Sequence, residues 1–380
     1  MEQNLKVLMI SSDRNVATLG SAVAERMKEY GKLVEELHIV LLSDRSHGLK
    51  RVQIAENVWV YPTNSLTSIL RPLDAARVGK RTVFEKKFVR GKSIITADSM
   101  ECGWAGMKIK KKWRLPLEIQ VHTDLFSPYF SGFQNAVRKF FARTVLENAD
   151  SIRVVSEDLK SKILNLKSTA NISVLPIYVD KEKIENVPIK FDLHARYPWH
   201  FITLMVARLA PEKNISLAIK ILALVRRQFP DTGLVVVGSG PEEKSLKALA
   251  KKMNLEGAVE FAGWQEEVAS FYKTANALLQ TSLFEGYGLS LIEAGLSGLP
   301  VVTTPVGIAQ ELEHGKDAYI YPADSPKLFA GGIMDLIENS QKRENLRFNM
   351  KKTLESKLLS KEDYLNLLGE GWRKTAFSIN

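Results

Sequence analysis

Residues 282 to 302, SLFEGYGLSLIEAGLSGLPVV, set two carboxylates and a glycine-rich turn ahead of an apolar, helix-forming run. The turn, Glu285, Gly286, Tyr287 and Gly288, leads directly into a helix beginning near Leu289. The first N–H groups of such a helix lack intrahelical partners and point at whatever lies before them, so an anionic ligand belongs there. Glu285 and Glu293 stand eight residues apart, nearly on one face if both belong to the helix. One carboxylate then lies at the turn while the other reaches a more distant part of an extended ligand. A dipole-favoured acid plus a solvated glutamate is the plainer alternative. In ARLAPEKN, residues 207 to 214, Arg208 ends an expected strand and Lys213 precedes a helix, so both can reach a strand-end cleft. A guanidinium fork and an ammonium point charge together suit a diphosphate, although as isolated residues they read as surface charges. His122 closes the expected strand of IQVHTDLFSP before a polar turn, as a site candidate or a satisfied structural residue.

The elements that must position these groups follow one pattern. LKVLMI, LVEELHIVLL, NVWVYP, SIITAD, LEIQVH, SIRVVS and ISVLPI are short apolar runs, and several are separated by stretches of helical spacing. Buried strands alternating with helices imply α/β architecture, with parallel sheets covered on both faces. At 380 residues, 45% hydrophobic and 25% charged, the chain exceeds what one core usually serves. The alternation lapses in VDKEKIENVPIKFDLHARYPWH and restarts at FITLMVAR. The expected division is therefore a domain over 1–186, a linker over 187–199 and a domain over 200–358. A terminal helix over 359–380 carries Tyr364, Leu365, Leu367, Leu368 and Trp372 at helical spacing. Two doubly wound domains facing each other would make a cleft with ligands at strand carboxyl ends. Cys102 is the single cysteine, which excludes an internal disulfide and a cysteine-based zinc cage and fits a reducing compartment. The start MEQNLKVLMISS reads as a buried strand rather than a signal peptide, and no run approaches the roughly 18 apolar residues of a spanning helix. A cytoplasmic protein is expected.

Taken in order, ARLAPEKN, VVGSGP, FAGW and FEGYGLSLIEA followed by GLPVVTT resemble the landmarks of the family 4 retaining glycosyltransferases. The resemblance is dense over about residues 200 to 325. It implies the two-domain GT-B fold, with two Rossmann-like domains across a cleft and the C-terminal helix packing back on the N-terminal one. It implies that Arg208 and Lys213 bind the diphosphate of a nucleotide-sugar, a UDP- or GDP-sugar serving as substrate. Gly286, Tyr287, Gly288 and Leu289 would hold phosphates and sugar, Glu285 would contact the donor sugar, and Glu293 would accept hydrogen bonds from the ribose diol. Gly238 and Gly240 would let the backbone approach the nucleotide, with the base near Trp264, Gln265 and Glu267. His122 would face the donor sugar. Asp98 or Glu101, following SIITAD, would line the acceptor side. The chain departs from the family at its first turn, where ISSDRNVATLG has no glycine before Gly20. There Asn15 offers a left-handed turn and Arg14 a charge.

The mechanism implied is attack from the face the leaving group departs, with the leaving phosphate taking the acceptor proton; a covalent intermediate is the alternative. No Asp-x-Asp or His/Cys metal pattern lies near these residues, so no metal and no cofactor is expected, and protein cations and a helix N-terminus stabilise the leaving charge. The net charge is +10, and residues 71–114 hold thirteen Lys/Arg against four Asp/Glu, interleaved with Phe84, Phe88, Trp104 and Trp113. That suits an anionic membrane surface, a peripheral location and a sugar or lipid-linked acceptor; a solvated basic face is the alternative. A dinucleotide oxidoreductase is disfavoured, because VVVGSGPEEK has Glu243 at the third glycine position despite Glu260 beyond it. A nucleotide-sugar epimerase or phosphorylase is the nearer rival. A nucleic-acid binder rests on charge alone and is not expected.

Overall fold

A computed structural model describes residues 5–124, 126, 133–165 and 170–377. The chain divides into two compact units, one formed by Met1–Ile177 with Leu359–Asn380 and the other by Tyr178–Leu358.

The first unit is built on eight strands: β1 (Lys6–Ser11), β2 (Glu36–Leu41), β3 (Val52–Ala55), β4 (Val58–Pro62), β5 (Ser93–Ala97), β6 (Leu117–Val121), β7 (Ser151–Val154) and β8 (Asn171–Val174). Their order is β3-β4-β2-β1-β5-β6-β7-β8. Every neighbouring pair is parallel except β3 with β4. Strand order reverses between β1 and β5, where crossovers on either side leave a crevice at the strand carboxyl ends. β3 escapes the sequence pattern because, among the described residues, it pairs with β4 alone, antiparallel at the sheet edge. Helix Ala22–Gly31 starts at Ser21, whose hydroxyl accepts from Ala24 N–H. Gly31 is its last residue, and a glycine is required there because a side chain would meet Val58 Cγ2 at 2.4 Å.

The second unit carries β9 (Phe201–Val206), β10 (Thr232–Val237), β11 (Val259–Gly263), β12 (Ala277–Gln280), β13 (Val301–Thr303) and β14 (Tyr319–Ile320), all parallel, in the order β11-β10-β9-β12-β13-β14. Its reversal lies between β9 and β12. The helix Ile215–Val225 buries Ile215, Ile219, Leu222 and Val225 into the core beneath this sheet, each side chain contributing ~1.5–3 kcal/mol of transfer free energy.

Residues 187–199, expected as a linker, pack within this second unit. Lys190 N–H donates to Ser270 Oγ (2.9 Å), Phe191 meets Phe271 edge-on (4.9 Å), and buried Trp199 donates to the Gly257 carbonyl (3.2 Å). The division accordingly falls at Ile177/Tyr178, before residue 187. The C-terminal helix, Lys361–Phe377, belongs to the first unit and buries Tyr364, Leu368 and Trp372, while Leu367 remains exposed. Tyr364 and Tyr30 share a hydroxyl contact of 2.8 Å, and Trp372 meets the Tyr30 ring edge-on.

Candidate functional site

At the reversal of the second sheet, two loops close on each other. The turn Pro211–Lys213 follows β9, and residues 281–288 follow β12. Leu283 N–H donates to the Glu212 carbonyl (2.8 Å), and Thr281 Oγ1 donates toward the Lys213 and Asn214 carbonyls (3.2 and 3.0 Å). This clamp sets Lys213 Nζ 2.6 Å from Glu285 Oε1, an oxygen that also accepts from Ser282 Oγ at 2.7 Å. Only 20% of the Lys213 side chain and 12% of the Glu285 side chain are exposed. Arg208 behaves differently: its guanidinium pairs with Glu212 and is 69% exposed. Glu212 was not anticipated from sequence. Burial raises its carboxyl, but its own backbone N–H and Arg208 outweigh that and bring it below the ordinary carboxylate range.

Helix Leu289–Leu296 is capped by Gly288 in the left-handed region at φ 94°. Glu285 therefore lies in the turn, not on the helix, and the expectation of two glutamates on one helical face is corrected. Gly286 and Tyr287 are buried, the Tyr287 carbonyl accepting from Ile308 N–H (2.8 Å), while Leu289 is exposed at the helix start. Glu293, on the second helical turn, accepts from Tyr272 Oη at 2.9 Å, and burial raises its pKa. Beside the turn, a hollow with room for about one water is lined by Ala207, Gln280, Ser282, Glu285 and Ser290. Gln280, 4% exposed, has an Nε2 without a partner among the described residues. Its signal in sequence was a polar residue ending an otherwise apolar strand.

Gly238 and Gly240 serve the protein's own packing. A Cβ on Gly238 would stand 2.0 Å from the Ala207 carbonyl oxygen, and one on Gly240 would stand 2.4 Å from that of Leu209. They let the loop after β10 lie on the loop after β9, where Leu209 N–H donates to the Ser239 carbonyl (3.0 Å). After β11, Trp264 is 70% exposed. Gln265 donates to the Ala262 carbonyl (2.7 Å), and Glu267 accepts from Ser270 N–H (2.9 Å) while its other oxygen is buried with no partner among the described residues.

In the first unit, His122 follows β6. Loss of hydration around the ring, followed by Arg153 and Arg26, pushes its pKa downward, although the residue keeps an exposed surface. The turn expected after it runs largely through residues 125 and 127–132, outside the described residues. Asp98, just after β5, accepts from Ser11 Oγ (2.6 Å) and Ser12 N–H (3.1 Å) across the reversal. Asn15 sits in the right-handed turn Arg14–Ala17, so the left-handed conformation expected of it is corrected. Arg14 contacts His47 Nε2. Glu101, Arg14, Ser12, Leu42, Asp44, His47 and Arg71 line a pocket of about 270 Å³, in which Arg71 Nε donates to Asp44 at 2.7 Å. Asp44 caps the turn Arg45–His47 and Arg71 opens helix Arg71–Glu85; they were missed because no local motif joins the two segments.

The chain is similar along its whole length to GT-B structures. One is Anabaena HepE in complex with UDP and glucose, with a TM-score of 0.77 and 19% identity over 97% of this chain and 99% of that one. Another is sucrose-phosphate synthase from Thermosynechococcus elongatus, with a TM-score of 0.77 and 18% identity over 97% and 98%. The fold is GT-B: two parallel-sheet α/β units of Rossmann type. In sequence, the alpha-monoglucosyldiacylglycerol synthase of Acholeplasma laidlawii is 24% identical over 273 residues, 64% of this chain and 65% of that protein. The poly(ribitol-phosphate) alpha-N-acetylglucosaminyltransferase of Staphylococcus aureus is 27% identical over 215 residues, 53% and 42% of the two. The chain spans less than two thirds of the length of these relatives. Residues 192–353, nearly the whole second unit, match the model of the family described as Glycosyl transferases group 1.

Proposed function

We propose that the chain transfers a hexosyl group from a UDP- or GDP-sugar to a sugar or lipid-linked acceptor, with retention and without a metal. The observation that carries this reading is the Lys213–Glu285 pair, held at the strand-order reversal beside a helix N-terminus, inside the stretch that matches the group 1 glycosyltransferases. As the bond from the anomeric carbon to the diphosphate breaks, negative charge grows on the leaving oxygen; Lys213, Arg208 and the backbone of Gly286–Leu289 are the groups to oppose it. The acceptor oxygen bonds to the same carbon from the departing side, and its proton passes to the leaving phosphate. Glu285 contacts the donor sugar and Glu293 the ribose hydroxyls, while Gly238, Gly240, Trp264, Gln265 and Glu267 border the nucleotide. UDP in the HepE complex supports the donor class.

The pocket around Arg14, Asp44, His47, Arg71 and Glu101 is the acceptor side in this reading. Leu66, Ile69 and Leu73 are exposed at 72%, 84% and 54% along the segment entering helix Arg71–Glu85. With the basic 71–114 stretch they suit peripheral binding at the cytoplasmic face of an anionic membrane. Among the described residues no helix is long and apolar enough to cross one. A thermal-shift screen of nucleotide-sugars, followed by product masses with and without sugar and lipid acceptors, tests the proposal. Turnover of the donor to an isomer without any acceptor would favour an epimerase instead, and sugar release to phosphate a phosphorylase.

A further inference from the structure

We propose that a chain of hydrogen bonds beneath the C-terminal helix fixes the His122 imidazole in one tautomer, with its proton on Nε2, and that Thr96 and Gln120 are positioning residues for it. The tautomer is a property of the free protein; only its consequence for turnover rests on the proposed transfer reaction.

Glu118 and Gln120 on β6, and His122 just beyond it, share one face of the sheet. The strand register sets Thr96 of β5 beside Glu118 and Arg153 of β7 beside Gln120. Thr96, Glu118, Gln120 and Arg153 are 0%, 2%, 8% and 9% exposed, under a fully buried Trp372. A polar row inside a parallel sheet is stable only if its members satisfy one another. Glu118 Oε1 accepts from Thr96 Oγ1 (3.0 Å), Trp372 Nε1 (3.3 Å) and Arg153 Nε (3.4 Å). A carboxylate paired with a guanidinium only accepts, so the single Thr96 hydroxyl proton points to Glu118. Toward Gln120, Thr96 Oγ1 can then only accept, and Gln120 Nε2 donates to it at 2.8 Å. This orients the carboxamide with Oε1 toward His122 Nε2, 3.4 Å away. An amide oxygen cannot donate, so the contact requires the ring proton on Nε2. Nδ1 of the neutral ring is left as an acceptor, and a substrate group meeting it there must be a donor such as a sugar hydroxyl.

The test is long-range proton–nitrogen NMR of the imidazoles in the full chain, whose six histidines are few enough to resolve, with His122 assigned by its loss in His122→Asn. At pH 7 the expected pattern is a neutral ring protonated on Nε2. Thr96→Val removes the donor to Glu118 and the acceptor of Gln120 together, and should mix the tautomers; Thr96→Ser should restore the wild-type pattern. Gln120→Leu, which removes the carboxamide, is the second variant should Thr96→Val not fold. Under the proposed reaction, Thr96→Val should lower kcat on the order of 10-fold with the donor KM within about twofold. An Nδ1-protonated ring in the wild type overturns the proposal. So does an unmixed Nε2 tautomer in folded Thr96→Val or Gln120→Leu. Mixed tautomers with unchanged kcat uphold the hydrogen-bond chain and remove His122 from the transfer reaction.

Discussion

Replacing Lys213 with alanine separates what its ion pair does for the fold from what it does for chemistry. The ammonium lies 2.6 Å from Glu285, with both side chains largely buried. Opposite unit charges about 4 Å apart interact by ~4 kcal/mol at an effective dielectric of 20, before desolvation is subtracted. Truncating one partner of a fully buried pair costs ~3–5 kcal/mol, chiefly through the charge left behind. Ser282 still donates to the Glu285 oxygen that loses Lys213, and some solvent reaches the site, so the expected stability loss is smaller, ~1–3 kcal/mol. The catalytic loss expected under the proposed reaction has another origin, because a leaving diphosphate would lose a counter-charge just as its own charge grows; turnover should fall by the equivalent of ~2–4 kcal/mol, roughly 30- to 1000-fold. Adding Glu285→Gln removes the orphaned charge. The double variant should regain ~1–2 kcal/mol of the lost stability and none of the lost turnover. Denaturant titration and donor turnover, measured on the same preparations, read the two effects separately. Near-normal turnover of Lys213→Ala with a verified donor would refute the reasoning. Recovery of turnover in the double variant would refute it too, by showing that Lys213 serves only to neutralise Glu285.

Arg208→Ala should also lower turnover by ~2–4 kcal/mol, with a stability loss smaller than that of Lys213→Ala, because Arg208 is itself exposed although it leaves the largely buried Glu212 without its cation; EDTA should leave the activity of the wild type and of Arg208→Ala unchanged. Stability should fall on mild acidification through His38, which is fully buried and has its pKa pushed down to about 4 by burial against the counter-pull of Glu36. The unfolded chain takes up this proton near pH 6.5 and the folded one does not, so the contribution is intact above that pH. It should be lost progressively toward pH 4, by ~3 kcal/mol in all, and His38→Gln should flatten that part of the denaturation profile. Replacing Leu66, Ile69 and Leu73 with serine should weaken sedimentation with anionic vesicles, and salt should weaken it further. Absence of wild-type binding to such vesicles would remove the membrane from the proposal.

The strand and helix alternation was legible because both sheets are parallel and buried on both faces, so strands such as FITLMV and TGLVVV are nearly continuous apolar runs. β3 was not, since an edge strand of four residues carries too little of that signal. The Lys213–Glu285 meeting was legible only as two motifs 72 residues apart; what joins them is the adjacency of β9 and β12, which periodicity does not encode. Neither the diversion of Arg208 to Glu212 nor the polar row beneath the C-terminal helix was read from the sequence, although the second left a trace there. LEIQVH and SIRVVS alternate polar with apolar residues where a parallel strand should be apolar throughout, a sign that something polar covers that face.

The missing glycines of the first turn have a physical reason. A glycine-rich turn binds phosphate through backbone N–H groups left free for it. Here Ser12 N–H is taken by the Asp98 carboxylate, Asn15 N–H by Asp13 Oδ1 at 3.0 Å, and Ser11 Oγ by Asp98 as well. These groups are satisfied by the protein itself and are not offered to a ligand. The groups that line the pocket at the first sheet's reversal are side chains: Arg14 with His47, and Arg71 with Asp44, around the space that Glu101 completes. At the second sheet's reversal the order is inverted, with a glycine-capped helix start and two cations supplying positive potential. Under the proposed function this asymmetry matches the chemistry. Charge grows on the leaving diphosphate and needs fixed positive groups, whereas an incoming hydroxyl needs a shaped set of donors and acceptors.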